Sequence, residues 1–493
     1  MRKIITIVIL LALIGLSVNA QNPQLWGMTS AGGTDSLGTI FKIRGDGTGF
    51  QSLQSLDTAT GNTPGGTLLH AVNGKFYGVT STGGAIHKGT ILSLDTSNVL
   101  TDVHDFTGNA GNDPVGKLIQ ANNGNLYGMT YYDDSIGAGV IFKYNPDNNI
   151  YTKLVTFNGT GNGQSPRGSL MQASNGTIYG MCQGGGANQL GTLFSLDTTT
   201  NTVTNLHSFS TATGFNPFGD LIQASNGLLY GTCIYFGTTG AGTLFSFNTA
   251  TNVFTDLIHF NTTNGQNPEG SLIQAADGKL YGLTWGGGDS AKGVLFKYDI
   301  SANTITDLAV FYGSNGAWPT GSLIQASDSN LYGMTSIGGT NNLGTVFRYN
   351  ITADTLITLH NFNGTDGSMP KGSLIEALTP AVTHDGIEEV VQANNNLTIY
   401  PNPASSVLNI SLPNKNIKSC IINLYDMLGQ LIIDNGQLKA IDNGQLTIDN
   451  NTSTMSIVNY QLSINLGRLS PGIYFLEVIM DGEKNVRKVV KLN

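Results

Sequence analysis

Five aromatic residues interrupt an otherwise repetitive sequence, and they are the side chains best suited to contact a ligand. They occupy corresponding places in three segments of the chain: Tyr131, Tyr132, Tyr235, Phe236 and Trp285. Exposed rings beside Asp, Asn and Gly offer a large apolar surface with a polar handle, as a sugar-stacking site requires. We therefore predict that these residues bind a glycan or a cell-surface protein. The alternative is that the rings pack between neighbouring structural units.

Acidic residues and histidines are the side chains that could act as catalytic groups or metal ligands. Four acids belong to the same variable segments or lie close to them: Asp133, Asp134, Glu269 and Asp289. No sequence spacing pairs two of them, and no G-x-S-x-G nucleophile motif occurs. Four histidines stand at matching or adjacent places of a repeat, which would keep them too far apart to share an ion: His104, His207, His259 and His360. We expect no metal and no cofactor.

The sequence is compatible with three classes of function. We favour a binding module over an enzyme, because nothing in the sequence assembles a catalytic pair. A polysaccharide-active enzyme, either a glycosidase or a lyase, could gather acids from several repeats, and sequence spacing would hide that arrangement. An inert structural surface protein is the third alternative.

The candidate residues sit on a repeat that occurs seven times. Three markers recur at spacings of 50 to 52 residues. An aromatic-Gly marker falls at Trp26, Tyr77, Tyr127, Tyr179, Tyr230, Tyr281 and Tyr332. A G-[TV] marker begins at Gly38, Gly89, Gly139, Gly191, Gly242, Gly293 and Gly344. A P-x-G marker begins at Pro64, Pro114, Pro166, Pro217, Pro268, Pro319 and Pro370.

Each repeat holds four short runs rich in branched and aromatic residues, which we call strands a to d. In the sixth repeat they read GSLIQA, KLYGLT, GVLFKYD and TDLAVF. Four antiparallel strands about every fifty residues predict the blade of a β-propeller, as in kelch-like repeats. The first repeat lacks strand a, and a surplus strand a stands at 372–377. We therefore predict an all-β fold, a seven-bladed propeller over 21–379 closed by these two ends.

The predicted propeller places the aromatic residues on one face. Consecutive strands run in opposite directions, so the b–c and d–a connections share a face, and the a–b and c–d connections share the other. The b–c and d–a connections are the longer and more variable ones. Because loops on a rigid scaffold commonly carry binding, we expect function on this face.

Composition and the N-terminus indicate an exported protein that does not bind nucleic acid. The net charge is −9, and a duplex binder needs clustered Lys and Arg. Arg2 and Lys3, an apolar run over 4–16 and a small residue at Ala20 predict a secretory signal peptide at 1–20. A membrane span needs about 20 apolar residues, so we expect no transmembrane segment after signal cleavage.

Two cysteines replace Thr at the end of strand b in adjacent repeats, Cys182 and Cys233. An exported protein can form disulfides. Equivalent positions on neighbouring blades are expected to lie beyond the Cα separation of about 7 Å that a disulfide allows. We therefore interpret both cysteines as free core residues.

The repeat resembles a known family. The segments GSLIQAADGKLYGLTWGGG and LHNFNGTDGSMPKGSLIEA are similar to the GloVer-type tandem repeat of bacterial secreted proteins. The resemblance covers about 360 residues. It implies the propeller architecture, and it implies no particular activity, because none is established for the family.

The C-terminal region resembles a second family. LTIYPNPASSVLNISL at 397–412, INLYDMLGQLI at 422–432 and the segment 469–493 are similar to the type A sorting domain of the type IX secretion system. The resemblance implies a small β-sandwich at 397–493 that follows a linker at 380–396. It also implies Sec export, the type IX machinery as a partner, and a secreted or cell-surface location. IDNGQLKA at 433–440 is followed by the near-duplicate IDNGQLTI at 441–448, and we interpret the duplication as an expanded hairpin or loop.

Overall fold

A computed structural model describes residues 22–377 and, toward the C-terminus, ten strand segments between residues 398 and 491. The chain divides into two compact units, residues 1–377 and 378–493. The described part is all-β, as predicted, and it contains no helix that could span a membrane. The predicted signal peptide and the 380–396 linker lie outside the described residues.

The first unit is a seven-bladed propeller in which each blade is an antiparallel sheet of order a–b–c–d. Strands a line the axial cavity, so they are innermost. The strands of blades 1 and 2, from a to d, are Ile375–Ala377, Gln24–Thr29, Thr39–Arg44, Gln51–Ser55; and Leu69–His70, Phe76–Thr80, Thr90–Leu94, Leu100–Asp105. Those of blades 3 and 4 are Asn112–Gln120, Leu126–Tyr132, Val140–Asn145, Ile150–Thr156; and Met171–Gln172, Ile178–Cys182, Thr192–Asp197, Thr202–Ser208.

The remaining blades follow the same pattern, and blade 5 carries one additional short strand before strand a. Blade 5 comprises Phe215–Pro217, Ile222–Gln223, Leu229–Tyr235, Thr243–Asn248 and Val253–His259. Blade 6 comprises Ile273–Gln274, Leu280–Thr284, Val294–Asp299 and Thr304–Val310. Blade 7 comprises Ile324–Gln325, Leu331–Thr335, Thr345–Asn350 and Thr355–Asn361.

The two ends of the propeller pair with each other, which confirms the predicted closure. Ile375–Ala377 is antiparallel to Gln24–Thr29, with Gln24 opposite Ala377 and Trp26 opposite Ile375. The pairing completes blade 1 and covers a sheet edge that would otherwise be open to another chain.

The hydrophobic core lies between the blades. One cluster joins Tyr281 and Phe311 of blade 6 to Leu323 and Phe347 of blade 7. Strand b is buried along its whole length in most blades, because both of its faces meet other strands. The glycine of the aromatic-Gly marker is needed there: a Cβ on Gly282 would lie 2.5 Å from the ring of Phe296.

Strand a is shorter than the predicted six residues in most blades, because its first residues bond to the neighbouring blade instead of their own sheet. The N–H of Ser271 donates to the hydroxyl of Ser322, at 2.8 Å. The hydroxyl of Ser271 accepts the N–H of Asp220, at 2.7 Å. At the other end of the strand, Oε1 of Gln325 accepts the N–H of Ala276 in the preceding blade, at 2.8 Å. These bonds link the inner ends of the blades into a ring.

The b–c and d–a connections lie side by side on one face, as predicted, and we call this face the loop face. In each blade, one residue at the end of strand b or just after it pairs with one residue before strand a or at its start. The first stands two positions after the last Thr or Cys of strand b, and the second stands two positions before the proline of the P-x-G marker. The pairs are Ala31–Ser368, Thr82–Asn62, Tyr132–Asn112, Gly184–Gln164, Tyr235–Phe215, Gly286–Gln266 and Ile337–Ala317.

The second unit contains two five-stranded antiparallel sheets, as a small β-sandwich requires. One sheet contains Thr398–Tyr400, Val407–Ser411, Gln445–Asn450, Ser453–Val458 and Gln461–Asn465. The other contains Ser419–Asp426, Leu431–Asp434, Leu438–Lys439, Gly472–Met480 and Glu483–Lys491. The duplicated IDNGQL segment enters both sheets, since the strands at 431–434 and 445–450 have partners in different sheets.

Candidate functional site

Blade 3 presents two adjacent tyrosines on the loop face. The rings of Tyr131 and Tyr132 meet edge to face, with centroids 4.3 Å apart. Tyr132 is 44% exposed, while Tyr131 is partly buried. The guanidinium carbon of Arg167, from the loop that leads into blade 4, lies 4.3 Å from the centroid of the Tyr131 ring. Tyr131 therefore packs between blades, whereas Tyr132 is open to a ligand.

Blade 5 presents an exposed aromatic patch that consists of Phe215, Tyr235 and Phe236. The ring of Phe215 stacks on that of Tyr235 with centroids 5.3 Å apart, and it lies 4.8 Å from the ring of Phe236. Tyr235 and Phe236 are 42% and 41% exposed. With Gly240 the three rings line a shallow apolar cavity of about 280 Å³. Phe215 was absent from the sequence prediction, although it stands directly across the ladder from Tyr235.

Phe236 holds a backbone conformation that its residue type disfavours. Its φ is +64°, and five other blades have glycine at the corresponding place: Gly32, Gly83, Gly185, Gly287 and Gly338. A side chain with φ in this region costs on the order of 1–3 kcal/mol. The sequence thus places a bulky aromatic ring on the surface at a position where glycine would be unstrained.

Trp285 packs between blades 6 and 7. Its ring stacks on that of Trp318, with centroids 5.1 Å apart and planes 20° apart. Trp318 comes from the loop that leads into blade 7, and both rings are partly buried. Trp285 therefore packs between neighbouring blades, which was the alternative to ligand binding for these aromatic residues. The five predicted residues fall into three local groups, on blades 3, 5 and 6, rather than into one pocket.

A second group of side chains surrounds the axis on the loop face. The last glycine of each P-x-G marker approaches the backbone of the next blade so closely that a Cβ would overlap it. On Gly66 that Cβ would lie 1.9 Å from the carbonyl oxygen of Gly116, and on Gly372 it would lie 2.0 Å from that of Gly66. These glycines form a closed ring, so the residue before each one stands at the mouth of the axial cavity.

Charged and aromatic side chains lie at this mouth, at positions that the repeat pattern alone did not single out. We call the following five the axial cluster: Asp113, Arg167, Phe218, Glu269 and Lys371. Only Glu269 was among the predicted candidates. The signal that could have found the others is the middle residue of the P-x-G marker, together with the residue before its proline, read across all seven blades.

The electrostatics of the axial cluster are unusual for a surface. Burial raises the pKa of Glu269 to about 7, although the positive charges of Arg167 and Lys371 act to lower it. Burial likewise raises the pKa of Asp113, against a hydrogen bond with Ser81 and the same two cations. A carboxyl group with a pKa near 7 can donate or accept a proton at neutral pH.

The other three acidic candidates lie apart from the axial cluster, and two of them have partners in the structure. Asp133 is buried, and its carboxylate accepts the N–H groups of Ser135 and Ala138, both at 3.0 Å. Burial would raise its pKa, but these bonds and the Ser135 hydroxyl hold the pKa below its usual value. Asp134 is exposed and pairs with Lys88, with Nζ and Oδ1 3.1 Å apart. Asp289 is exposed at the tip of its loop.

The matched histidines connect neighbouring blades at their outer strands. Three of them stack on an aromatic ring in or beside strand d of the next blade: His104 on Tyr151, His207 on Phe254 and His360 on Phe50. Burial lowers the pKa of all three. Within the described residues, no three His, Cys, Asp or Glu side chains lie close enough together to hold a metal ion.

Both cysteines of the propeller are free and buried, as expected. Cys182 and Cys233 each end a strand b, and neither side chain is exposed. Burial raises the pKa of both thiols, so they stay protonated.

The axis contains a cavity of about 530 Å³, lined by the inner strands and the residues just before them. Its wall combines Leu and Ile side chains with the hydroxyls that link the blades. Lys117 and Asp220 replace two of those hydroxyl residues.

Two family models together match nearly the whole chain. A model of the Gloeobacter/Verrucomicrobia repeat matches residues 14–239 and 172–400. A model of the secretion system C-terminal sorting domain matches residues 398–492. No curated protein sequence matches the chain. The sorting domain indicates secretion to the cell surface or the extracellular space, with the type IX machinery as the partner that exports it.

Solved structures share the propeller fold at low sequence identity. A 6-phosphogluconolactonase candidate from Bacteroides uniformis is 15% identical with a TM-score of 0.51, and the match covers 71% of this chain and 99% of that one. A periplasmic gluconolactonase from Pseudomonas aeruginosa is 14% identical with a TM-score of 0.50, over 71% of this chain and 98% of that one. At these identities the similarity concerns the fold alone.

Proposed function

The chain belongs to the Gloeobacter/Verrucomicrobia repeat family, and from this membership, its sorting domain and the geometry of its loop face we propose that it is an exported binding module. Its ligand is a glycan or a surface protein at the cell exterior, and a glycan suits the exposed rings best. Tyr132, Tyr235 and Phe236 make the contact.

The aromatic patch of blade 5 is the observation that carries this proposal. Phe236 has a strained backbone conformation, and its side chain is nevertheless 41% exposed, next to Tyr235 at 42%. Strain held at a surface position supports a role in binding more than a role in packing. Adjacent exposed rings that enclose a shallow apolar cavity match the flat, apolar faces of sugar rings.

A glycan array with matched variants tests the proposal. The triple variant Tyr132→Ala, Tyr235→Ala, Phe236→Ala removes the exposed rings and leaves Trp285, which packs between blades, in place. The control variant Val99→Ala, Ile150→Ala, Val253→Ala trims three comparably exposed residues at the c–d turns of the opposite face. We expect the first variant to lose binding and the control to keep it. A well-folded first variant that binds like the unmodified protein would overturn the proposal.

A polysaccharide-active enzyme is the second candidate, favoured by one observation. The pKa of Glu269 is raised to about 7 beside two cations at the mouth of the axis, which suits a general acid or base. The test is turnover of polysaccharides by the unmodified protein and by Glu269→Gln. Turnover that Glu269→Gln abolishes would replace the binding module with an enzyme, and binding without turnover would retain the module. An inert structural surface protein would neither bind nor turn over.

A further inference from the structure

Arg167 at the axis is held in one orientation by its neighbours. Its Nε donates to Oε1 of Gln183 at 3.2 Å. Its guanidinium carbon lies 4.3 Å from the ring centroid of Tyr131 and 5.5 Å from that of Phe218. The hydrogen bond and the two ring contacts restrict the guanidinium and reduce the entropy lost when it binds a partner.

The terminal nitrogens of this guanidinium are available to a ligand. Within the described residues they have no hydrogen-bond partner, and neither Arg167 nor Lys371 forms an ion pair with a carboxylate. Both positive charges nevertheless reach Glu269 and Asp113, because each acts on the pKa of those acids. The whole chain has a net charge of −9, so two unpaired cations at the axis do not reflect a generally basic surface.

We propose that the axial cluster binds the carboxylate of a uronic acid unit in a glycan, through Arg167 with Lys371 as the second cation. This inference rests on the proposed glycan-binding function and specifies its ligand class. The planar fork of a guanidinium matches a carboxylate with two parallel hydrogen bonds. Phe218 beside that fork, and the exposed Tyr132, whose ring meets that of Tyr131, supply the surface on which the sugar ring lies.

Glu269 also fits an acidic ligand better than a cationic one. Its carboxyl group is partly buried, and the protonated form carries no charge to repel the ligand and can donate a hydrogen bond to it. An acidic peptide would satisfy the two cations equally well but would gain less from the flanking rings. The aromatic residues therefore favour a sugar acid over a peptide.

The test uses the mature exported protein and pairs of oligosaccharides in which the carboxylate is either free or methyl-esterified and therefore uncharged. Calorimetry measures binding to oligomers of galacturonate, glucuronate and mannuronate, and to the methyl ester of each. Poly-glutamate serves as the acidic peptide. The variants are Arg167→Gln, Lys371→Gln and Arg167→Lys, and the control is Lys75→Gln, which removes the same charge from an exposed turn on the opposite face. Thermal melting of each variant verifies that it is folded.

We expect at least one uronate to bind about tenfold more tightly than its ester, the equivalent of about 1.4 kcal/mol. Arg167→Gln and Lys371→Gln should each remove most of that preference, Arg167→Lys should retain part of it, and Lys75→Gln should leave it unchanged. Equal affinity for acids and esters would overturn this inference and leave the glycan-binding function standing. Binding to no glycan at all would overturn both, and equal binding to poly-glutamate would overturn the sugar assignment.

Discussion

Lys117 and Asp220 form an ion pair that reaches past a whole blade, with Nζ and Oδ2 3.4 Å apart. Lys117 belongs to blade 3 and Asp220 to blade 5. Between them, Ser169 of blade 4 accepts the N–H of Lys117 and donates its own N–H to Oδ1 of Asp220. In the other five blades the residue after the P-x-G glycine is Ser or Thr. The ion pair therefore replaces two members of a ring of hydroxyl side chains, which we call the hydroxyl belt.

The first prediction concerns this ion pair. We expect Lys117→Ser and Asp220→Ser each to lower the free energy of unfolding, and the double variant to recover part of the loss because it restores the hydroxyl belt. The side chains are 45% and 15% exposed, so solvent screens the pair and the coupling should be about 0.5–1 kcal/mol. Urea unfolding of the four proteins measures it. Strictly additive losses would contradict the prediction.

The second prediction concerns the glycine ring. Gly66→Ala should destabilise the propeller by about 1–3 kcal/mol, because its Cβ would overlap the carbonyl oxygen of Gly116, which is backbone and cannot rotate away. Gly65→Ala is the matched control, since its Cβ would meet only the Ser81 hydroxyl at 3.6 Å. Chemical unfolding compares the two, and equal stability of the two variants would refute the close approach.

The third prediction concerns closure. A chain that ends at residue 379 keeps the strand at 375–377, and we expect it to melt cooperatively as a monomer without the sorting domain. A chain that ends at residue 371 leaves Gln24–Thr29 as an open edge and breaks the glycine ring. It should melt at a lower temperature and associate through that edge. Calorimetry and light scattering distinguish them, and identical behaviour would argue against closure by pairing.

The fourth prediction concerns Phe236. Glycine normally destabilises an extended segment relative to alanine by about 0.5–1 kcal/mol. At Phe236 the order should reverse, so that Phe236→Gly is more stable than Phe236→Ala, because φ is +64°. At the neighbouring Tyr235, which has an ordinary φ, Tyr235→Ala should be more stable than Tyr235→Gly. Thermal unfolding of the four variants checks this, and the same order at both positions would disprove it.

The fifth prediction concerns pH. The pKa of Glu269 is raised from 4.5 to about 7, so between these values the folded protein holds a proton that the unfolded chain releases. The stabilisation is complete below pH 4.5 and is lost as the pH rises through 7. It should amount to at most about 3.4 kcal/mol, because the pKa difference of about 2.5 contributes about 1.4 kcal/mol per unit, and solvent screening reduces it. Glu269→Gln should remove this part of the pH dependence, which unfolding at pH 5 and pH 8 in both proteins measures. If the difference in unfolding free energy between pH 5 and pH 8 is the same in both proteins, the pKa of Glu269 is not raised by folding.

Much of the fold followed from the repeat, because local hydrogen bonding and burial are the same in each copy. The markers predicted the number of blades and the loop face, and the unequal ends predicted closure. The length of strand a was overestimated, since Ser271 and its counterparts bond across blades rather than along their own sheet. Sequence periodicity does not indicate whether a backbone N–H bonds within its own sheet or to the neighbouring blade.

The candidate site was less accessible to sequence reasoning. Aromatic residues that break the repeat were visible, and Tyr132 and Phe236 are indeed exposed. The partner of Trp285 could not be predicted, because Trp318 stands 33 residues later, just before the P-x-G marker of the next blade. Asp133 resembled a surface acid, yet it is buried under its own loop.

Seven similar blades, their strand order and the ends that join them were predictable from the repeat, because each blade has the same short-range pattern of turns and apolar residues. Which of the residues that depart from the repeat come into contact depends on how the blades pack. Arg167 contacts the rings of Tyr131 and Phe218, and its charge, like that of Lys371, acts on Glu269, although up to 240 residues separate these side chains. They converge because the glycine ring brings seven backbones together at one axis, and that close approach depends on how the blades pack.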